Sequence, residues 1–167
     1  MALEPADFNR LVEEHGPALY RLAYRLVGDR HEAEDVVQET FRSAWKSRDR
    51  FLKGQGERAW LTAILRRRTA DYWRHKGSRR NVSSPEFPGD VCSPESPEQG
   101  YIDPIQRALD QLPEELRETL LLVVVGELTH QQAAEMLGIP IGTVLSRVSR
   151  ARMRLREALL AAGIQEK

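Results

Sequence analysis

The stretch THQQAAEMLGIPIGTVLSRVSRARMRLREALL, Thr129–Leu160, spells a helix, a turn and a second helix by its spacing alone. Thr129 is placed to cap a short helix, with Gln132 three residues on in the capping-box position. Ala134, Gly138 and Val144 follow at the four- and six-residue steps of a helix-turn-helix. The small alanine lets two helices approach, the glycine accepts the turn and the valine plugs the seam. Pro140 suits the first turn of the next helix, where its missing N–H costs little. In that helix Val144, Val148, Ala151 and Leu155 step by four, three and four, so they face inward. Leu145, Ser146, Ser149, Arg150 and Met153 then project outward, with Arg147, Arg152 and Arg154 on the flanks. Such a face suits a recognition helix, with base-reading positions at its centre and phosphate contacts beside them. A charge run alone would favour the plainer reading, an amphipathic hairpin with a solvated arginine face. Cap, turn spacing and apolar pattern agree here, and together they favour DNA binding.

Working outward, Glu114 to about Val125 reads as another helix, with Leu116, Leu120 and Val123-Val124 as its stripe and Gly126 at its end. Asp103 is placed as an N-cap with Pro104 at the first helical position, and Leu112-Pro113 closes that helix. Between Gly77 and Pro104 the composition breaks: five of the nine prolines fall between Pro85 and Pro104, among serines and glycines. That segment buries too little apolar surface to offset its ordering entropy, so a flexible linker is expected. The first 76 residues again read as helices. Phe8, Leu11, Val12, His15, Leu19, Leu22 and Leu26 mark one, with an expected kink at Gly16-Pro17 and a close at Gly28-Asp29. A second runs from about His31 to Lys46, and a third from Glu57 to about Lys76 with Leu61, Ile64, Leu65 and Tyr72 inside. The expected fold is therefore all-α: two small helical domains, 1–76 and 104–167, joined by a flexible linker over 77–103.

The charge follows the same division. The chain has 25 Lys+Arg and 25 Asp+Glu, a formal balance of zero that hides a block pattern. Residues 58–80 carry eight bases against Asp71, residues 81–135 eleven acids against Arg107 and Arg117, and residues 147–157 five arginines against Glu157. In LTAILRRRTADYWRHK, Leu61–Lys76, arginines interleave with Tyr72 and Trp73, which suits phosphate neutralisation plus stacking on unpaired bases. The same helix can also be read as a core helix with merely exposed arginines. Two basic elements on two tethered domains favour the DNA reading, because a linker lets both dock on separated segments.

Three segments in order, AEDVVQETFRSAW (Ala33–Trp45), AWLTAILRRRTADYWR (Ala59–Arg74) and LTHQQAAEMLGIPIGTVLSRVSRARMRLRE (Leu128–Glu157), resemble the bacterial extracytoplasmic-function sigma factors, the two-domain branch of the sigma-70 family. The resemblance implies a sigma-2-like helical bundle followed by a sigma-4-like helix-turn-helix domain. It implies core RNA polymerase and promoter DNA as partners, an anti-sigma factor as antagonist, no cofactor and no catalytic residues. Asp35, Gln38 and Glu39 would dock on the clamp helices of the largest polymerase subunit, an acidic and amide-bearing surface against a basic coiled coil. Arg66, Arg67, Arg68, Asp71, Arg74 and Lys76, with the preceding loop 50–56, would engage the −10 element as its strands open. Thr143, Leu145, Ser146, Arg147, Ser149, Arg150 and Arg154 would read the −35 element in the major groove, Arg150 by a bidentate bond to guanine and Leu145 by apolar contact. The chain departs from the family pattern at Arg67, where asparagine is common, and at Leu145, where a basic residue is frequent. The first departure implies a trade of base reading for backbone affinity, the second a different −35 preference.

Other classes fit poorly. Cys92 is the lone cysteine, which excludes an internal disulfide and a cysteine zinc cluster; a redox role for it is the less favoured reading. His15, His31, His75 and His130 lie far apart with no HExxH, and no phosphate-binding glycine loop occurs, so neither metal binding nor catalysis is expected. The longest apolar run, Leu120–Val125, is far short of the roughly 18 residues of a membrane span. With acids in place of a basic signal start, a cytoplasmic location is expected. The competing account, a helix-turn-helix regulator that acts without polymerase, leaves the acidic helix and the basic aromatic helix without a role.

Overall fold

The computed structural model describes residues 3–51, 56–81 and 99–164, of which 77–81 and 99–103 are described by backbone alone. Seven α-helices and no strand occur among the described residues: α1 Pro5–Val27, α2 Arg30–Lys46, α3 Glu57–Asn81, α4 Gln99–Asp110, α5 Glu114–Val124, α6 His130–Leu137 and α7 Ile141–Ala161, with a 3₁₀ turn at Arg48–Arg50. The all-α expectation is met. Within the expected linker, residues 82–98 lie outside the described residues.

Local chemistry explains most of the boundaries. Pro5 opens α1, and Gly28 closes it in a left-handed conformation (φ 78°), its N–H donating to the Tyr24 carbonyl at 2.7 Å. Asp29 caps α2 by accepting the Glu32 N–H at 3.0 Å. Helices α1, α2 and α3 pack on one another; α4, α5, α6 and α7 form the second group, with α7 lying against the other three.

α1 is one helix of 23 residues through Gly16-Pro17, where the proline forgoes one intrahelical bond. Several other expectations are corrected. α3 does not stop near Lys76 but continues to Asn81, because an isolated glycine such as Gly77 weakens a helix by about 1 kcal/mol without breaking it. Asp103 is not an N-cap: α4 begins upstream at Gln99 and Pro104 lies inside it. Pro140 sits one place earlier than expected, as the N-cap of α7 with extended ψ 148°, so the helix starts at Ile141. Val124 leaves the stripe of α5, since the helix buries Leu116, Leu120, Leu121 and Leu122 and turns Val124 outward, 49% exposed.

The two halves share one apolar core. Leu19, Leu22, Leu61 and Leu65 of the first group join Leu109, Leu116, Leu120, Leu122 and Val144 of the second. Gly126 shows how close the approach is, because a Cβ there would stand 2.6 Å from the Leu122 carbonyl oxygen and 3.3 Å from Leu22 Cδ2. Polar contacts border this seam. Arg58 pairs with Glu127, Arg66 with Glu118, and Gln106 receives the Arg25 guanidinium at 3.4 Å while donating to the Arg25 carbonyl at 3.1 Å. Glu127 holds a left-handed backbone (φ 54°) that a non-glycine residue adopts at a cost, and its carboxylate is the partner of Arg58.

Candidate nucleic-acid interface

The helix-turn-helix forms from the residues that spell it. Thr129 Oγ1 accepts the Gln132 N–H at 3.1 Å and Gln132 Oε1 accepts the Thr129 N–H at 3.0 Å, completing the capping box. Gly138 ends α6 at φ 65°, a conformation that costs glycine nothing and L side chains dearly. Ala133, Ala134, Val144, Val148 and Ala151 are buried, so α7 is fixed in rotation about its axis. That rotation presents Leu145 (49% exposed), Met153 (57% exposed), Ser146, Ser149, Arg150 and Arg154 to solvent on one side, with Thr143 half-buried at the start. Arg150 contacts only its own helix, Nε to the Ser146 carbonyl at 3.5 Å, and Arg154 meets no carboxylate among the described residues. Arg147 differs. Its side chain is 20% exposed and pairs with Glu115 of α5 at 3.5 Å, which ties α7 to its own domain.

The cations of α3 are arranged otherwise. Arg66 turns into the seam, onto Glu118 and toward the Met136 carbonyl at 3.4 Å. Arg67 is exposed and lines clefts on both sides, one with Glu114 and Glu118, the other with Trp60 and Glu135. Asp71 gathers Arg68, at 3.3 Å, and Arg74, so this carboxylate neutralises its own helix. Lys76 donates to the Tyr72 hydroxyl at 3.2 Å and lies over the Tyr72 and Trp73 rings, 5.6 and 5.4 Å from their centres. Trp73 is exposed beside it, its ring edge-on to Tyr72 at 69°, so this end of α3 offers an aromatic ring next to a cation, groups that suit stacking and charge contact with an unpaired nucleotide. Residues 52–55 of the expected −10 loop lie outside the described residues.

Asp35 and Gln38 project from α2 into solvent, and Glu39 beside them pairs with Arg42 at 3.7 Å. Gln38 borders a shallow hollow of about 420 Å³ formed by Phe8, Val12, Phe41, Arg42 and Trp45. The Phe8 ring meets Trp45 and Phe41 edge-on, with centres 5.0 and 6.3 Å apart. Phe41 and Trp45 of α2 are half-buried and supply apolar surface next to the acidic residues. A group that sequence reasoning missed is Glu14, His15 and Glu57, whose ligand-type atoms lie within 4.8 Å of one another. Arg10 bonds both carboxylates at 3.2 Å and His15 Nε2 meets Glu57 at 3.3 Å, so the cluster already carries its counter-charge and staples α1 to the start of α3. Only the Arg10–Glu14 pair, one turn apart, had a local signal.

No helix among the described residues is long and apolar enough to cross a membrane. Residues 11–79 match the family described as Sigma-70 region 2, and residues 102–155 match Sigma-70, region 4. A basic three-helix group followed by a helix-turn-helix group, each matching its sigma-70 region, defines a sigma factor of the sigma-70 type. Among its relatives, SigE of Mycolicibacterium smegmatis is 37% identical over 92% of this chain and 62% of its own, and EcfG of Rhodopseudomonas palustris is 33% identical over 90% and 83%. This chain therefore spans less than two thirds of the length of SigE and most of EcfG. The solved sigma factor RpoE from Bartonella quintana, in complex with the anti-sigma factor NepR, superposes with a TM-score of 0.75 at 32% identity, covering 92% of this chain and 96% of that one. The chain belongs to the extracytoplasmic-function RNA polymerase sigma factors.

Proposed function

We propose that this chain binds core RNA polymerase and directs it to a set of promoters as an alternative initiation subunit. Residues 1–76 form the unit that docks on core and engages the −10 element, and residues 104–167 form the unit that reads the −35 element. Asp35, Gln38 and Glu39 meet core, with the aromatic hollow at Gln38 adding apolar burial to a polar contact. Leu145, Ser146, Ser149 and Arg150 face base edges, while Thr143 and Arg154 approach phosphates. On α3, Arg67, Arg74 and Lys76 act on the opened strand once the seam parts and Arg66 leaves Glu118. Arg68 and Asp71 shape that surface more than they read it. The chain works in the cytoplasm, assigns no residue to a chemical step, and has a protein antagonist of the kind that RpoE has in NepR.

The observation that carries this reading is the two sigma regions in order on one chain, with the outer face of α7 uncovered. Family membership favours it over a regulator that acts without polymerase. The test mixes the purified chain with core polymerase and templates bearing candidate promoters. A run-off transcript that core alone does not make supports the reading. A chain that neither co-elutes with core nor starts transcription overturns it.

A further inference from the structure

We propose that Ile141 and Leu145 form an apolar edge on α7 that reads thymine methyl groups in the −35 element, on the strand opposite the guanine assigned to Arg150. This inference deepens the reading of α7 as the −35 helix and rests on it. Ile141 is the first residue of α7 and Leu145 follows one turn on, so their side chains adjoin. They are 45% and 49% exposed, and neither belongs to the apolar core that fixes the rotation of the helix. A single exposed leucine on a protein surface needs no explanation. Two large apolar side chains together at the start of a recognition helix do, because the N-terminal residues of such a helix are those that meet base edges. A Cβ added at Gly142 would meet nothing within 4 Å, so the first turn faces open space into which a base pair can come close.

Chemistry selects what this edge can read. Neither side chain carries a donor or an acceptor, so neither pairs with the polar groups of a base edge. Held against such groups, it would strip their water and return no hydrogen bond. The apolar group that an unmodified base pair presents in the major groove is the thymine methyl. Rotation about the helix then assigns the strand. At about 100° per residue, Arg150 lies about 140° around the axis from Leu145 and about 180° from Ile141. Over its first turns α7 therefore has one apolar flank and another that carries Thr143 and Arg150. A helix lying in the groove turns its two flanks toward the two strands, so the methyl groups and the guanine are read from different strands.

The full chain is first used to select duplexes from a pool randomised over the −35 region. In the selected duplex each thymine is then replaced in turn by uracil, which lacks only the methyl, and affinity is read by polarisation of a fluorescein label. At one or two thymines uracil is expected to weaken binding about three- to fivefold each. Those thymines should all lie on the strand opposite the guanine whose preference Arg150→Ala relaxes. In Ile141→Ala/Leu145→Ala the uracil penalty should vanish at an unchanged melting temperature, since both side chains are exposed. At the same positions 5-methylcytosine opposite guanine should bind about three- to fivefold more tightly than cytosine opposite guanine. Uracil equal to thymine at every position, a penalty that survives in the double variant, or a sensitive thymine on the strand of the Arg150 guanine each overturns the inference. So does a chain that selects no duplex, or one with no guanine preference that depends on Arg150. Run-off transcription with core on the selected template tells this failure from that of the sigma reading. A transcript indifferent to uracil refutes the methyl contact alone; methyl-dependent duplex binding with no transcript refutes the sigma reading alone.

Discussion

α3 and α7 are the two basic helices of this chain, and they keep their charge in opposite ways. On α7, Arg150 and Arg154 meet no carboxylate among the described residues and flank the exposed Leu145 and Met153. On α3, Arg66 is held by Glu118 of α5, while Arg68 and Arg74 share Asp71. A basic run in the sequence thus has two fates. One helix presents Arg150 and Arg154 outward and gives only Arg147 to an acid of its own domain, Glu115, while the other has several cations neutralised within the chain, partly by the second domain. In the packed arrangement the outer face of α7 is open, and the α3 cations proposed to meet the −10 element are partly covered. The zero net charge counts 25 bases against 25 acids over the whole chain, and it points to weak binding of the unaided chain to a whole promoter.

The largest break in this comparison comes from the seam residue that sets the rotation of α7. Val144 is fully buried, so Val144→Asp places an unpaired carboxylate in the core. A loss of about 3–5 kcal/mol or more is expected, with the melting transition lowered or lost and duplex −35 binding gone. Leu145→Asp, one residue on, puts the same charge on the outer face; the melting temperature should hold while duplex affinity falls. Equal thermal damage from both changes would mean that α7 is not oriented as described. Next comes Arg150→Ala, expected to cost about 1–3 kcal/mol at one base pair and to relax preference there, as read by competition among single-base variants of the −35 duplex. Uniform weakening across all variants would make Arg150 a phosphate contact.

A smaller effect should bring α3 toward the condition of α7. Glu118→Gln with Glu127→Gln removes the carboxylates that hold Arg66 and Arg58 across the seam. Partly exposed pairs such as these contribute about 0.5–1 kcal/mol each, so the unaided chain should bind a single-stranded −10 oligonucleotide more tightly, by about five- to thirtyfold if both pairs restrain it. Duplex −35 affinity should not move. An unchanged −10 affinity would show that these pairs do not restrain α3.

Much of this was legible beforehand, and the pattern of what was not is physical. The α6–α7 unit could be read because its signals are local: a cap at Thr129, a left-handed glycine at 138 and a valine in the helical repeat. The seam could not. Arg66 and Glu118 are 52 residues apart, and no periodicity in either helix encodes which acid meets which base. The misjudged helix ends share one cause, in that proline and glycine rules report local preference while packing decides whether the helix continues. Pro104 inside α4 and Gly77 inside α3 are both tolerated for that reason. The same limit applied to the candidate site, since spacing placed Arg147 and Arg154 alike on the flanks of α7 and only the fold separates them.

That separation gives the finest test, between Arg147 and Arg154. Both were assigned to DNA by spacing, yet Arg147 is largely covered and bonds Glu115 at 3.5 Å, while Arg154 is exposed. If Arg147 serves the domain, Arg147→Ala should lower stability by about 0.5–1 kcal/mol, the usual worth of a partly exposed pair, with the salt dependence of duplex binding unaltered. If Arg154 serves a phosphate, Arg154→Ala should leave the melting temperature alone and reduce the slope of log affinity against log salt by about 1. Measuring both slopes and both melting curves assigns each residue independently, because a counterion released on binding and an ion pair kept within the fold leave different signatures. A shallower slope for Arg147→Ala would mean that it leaves Glu115 for the DNA on binding, making the Arg147–Glu115 pair a restraint of the kind that holds Arg66.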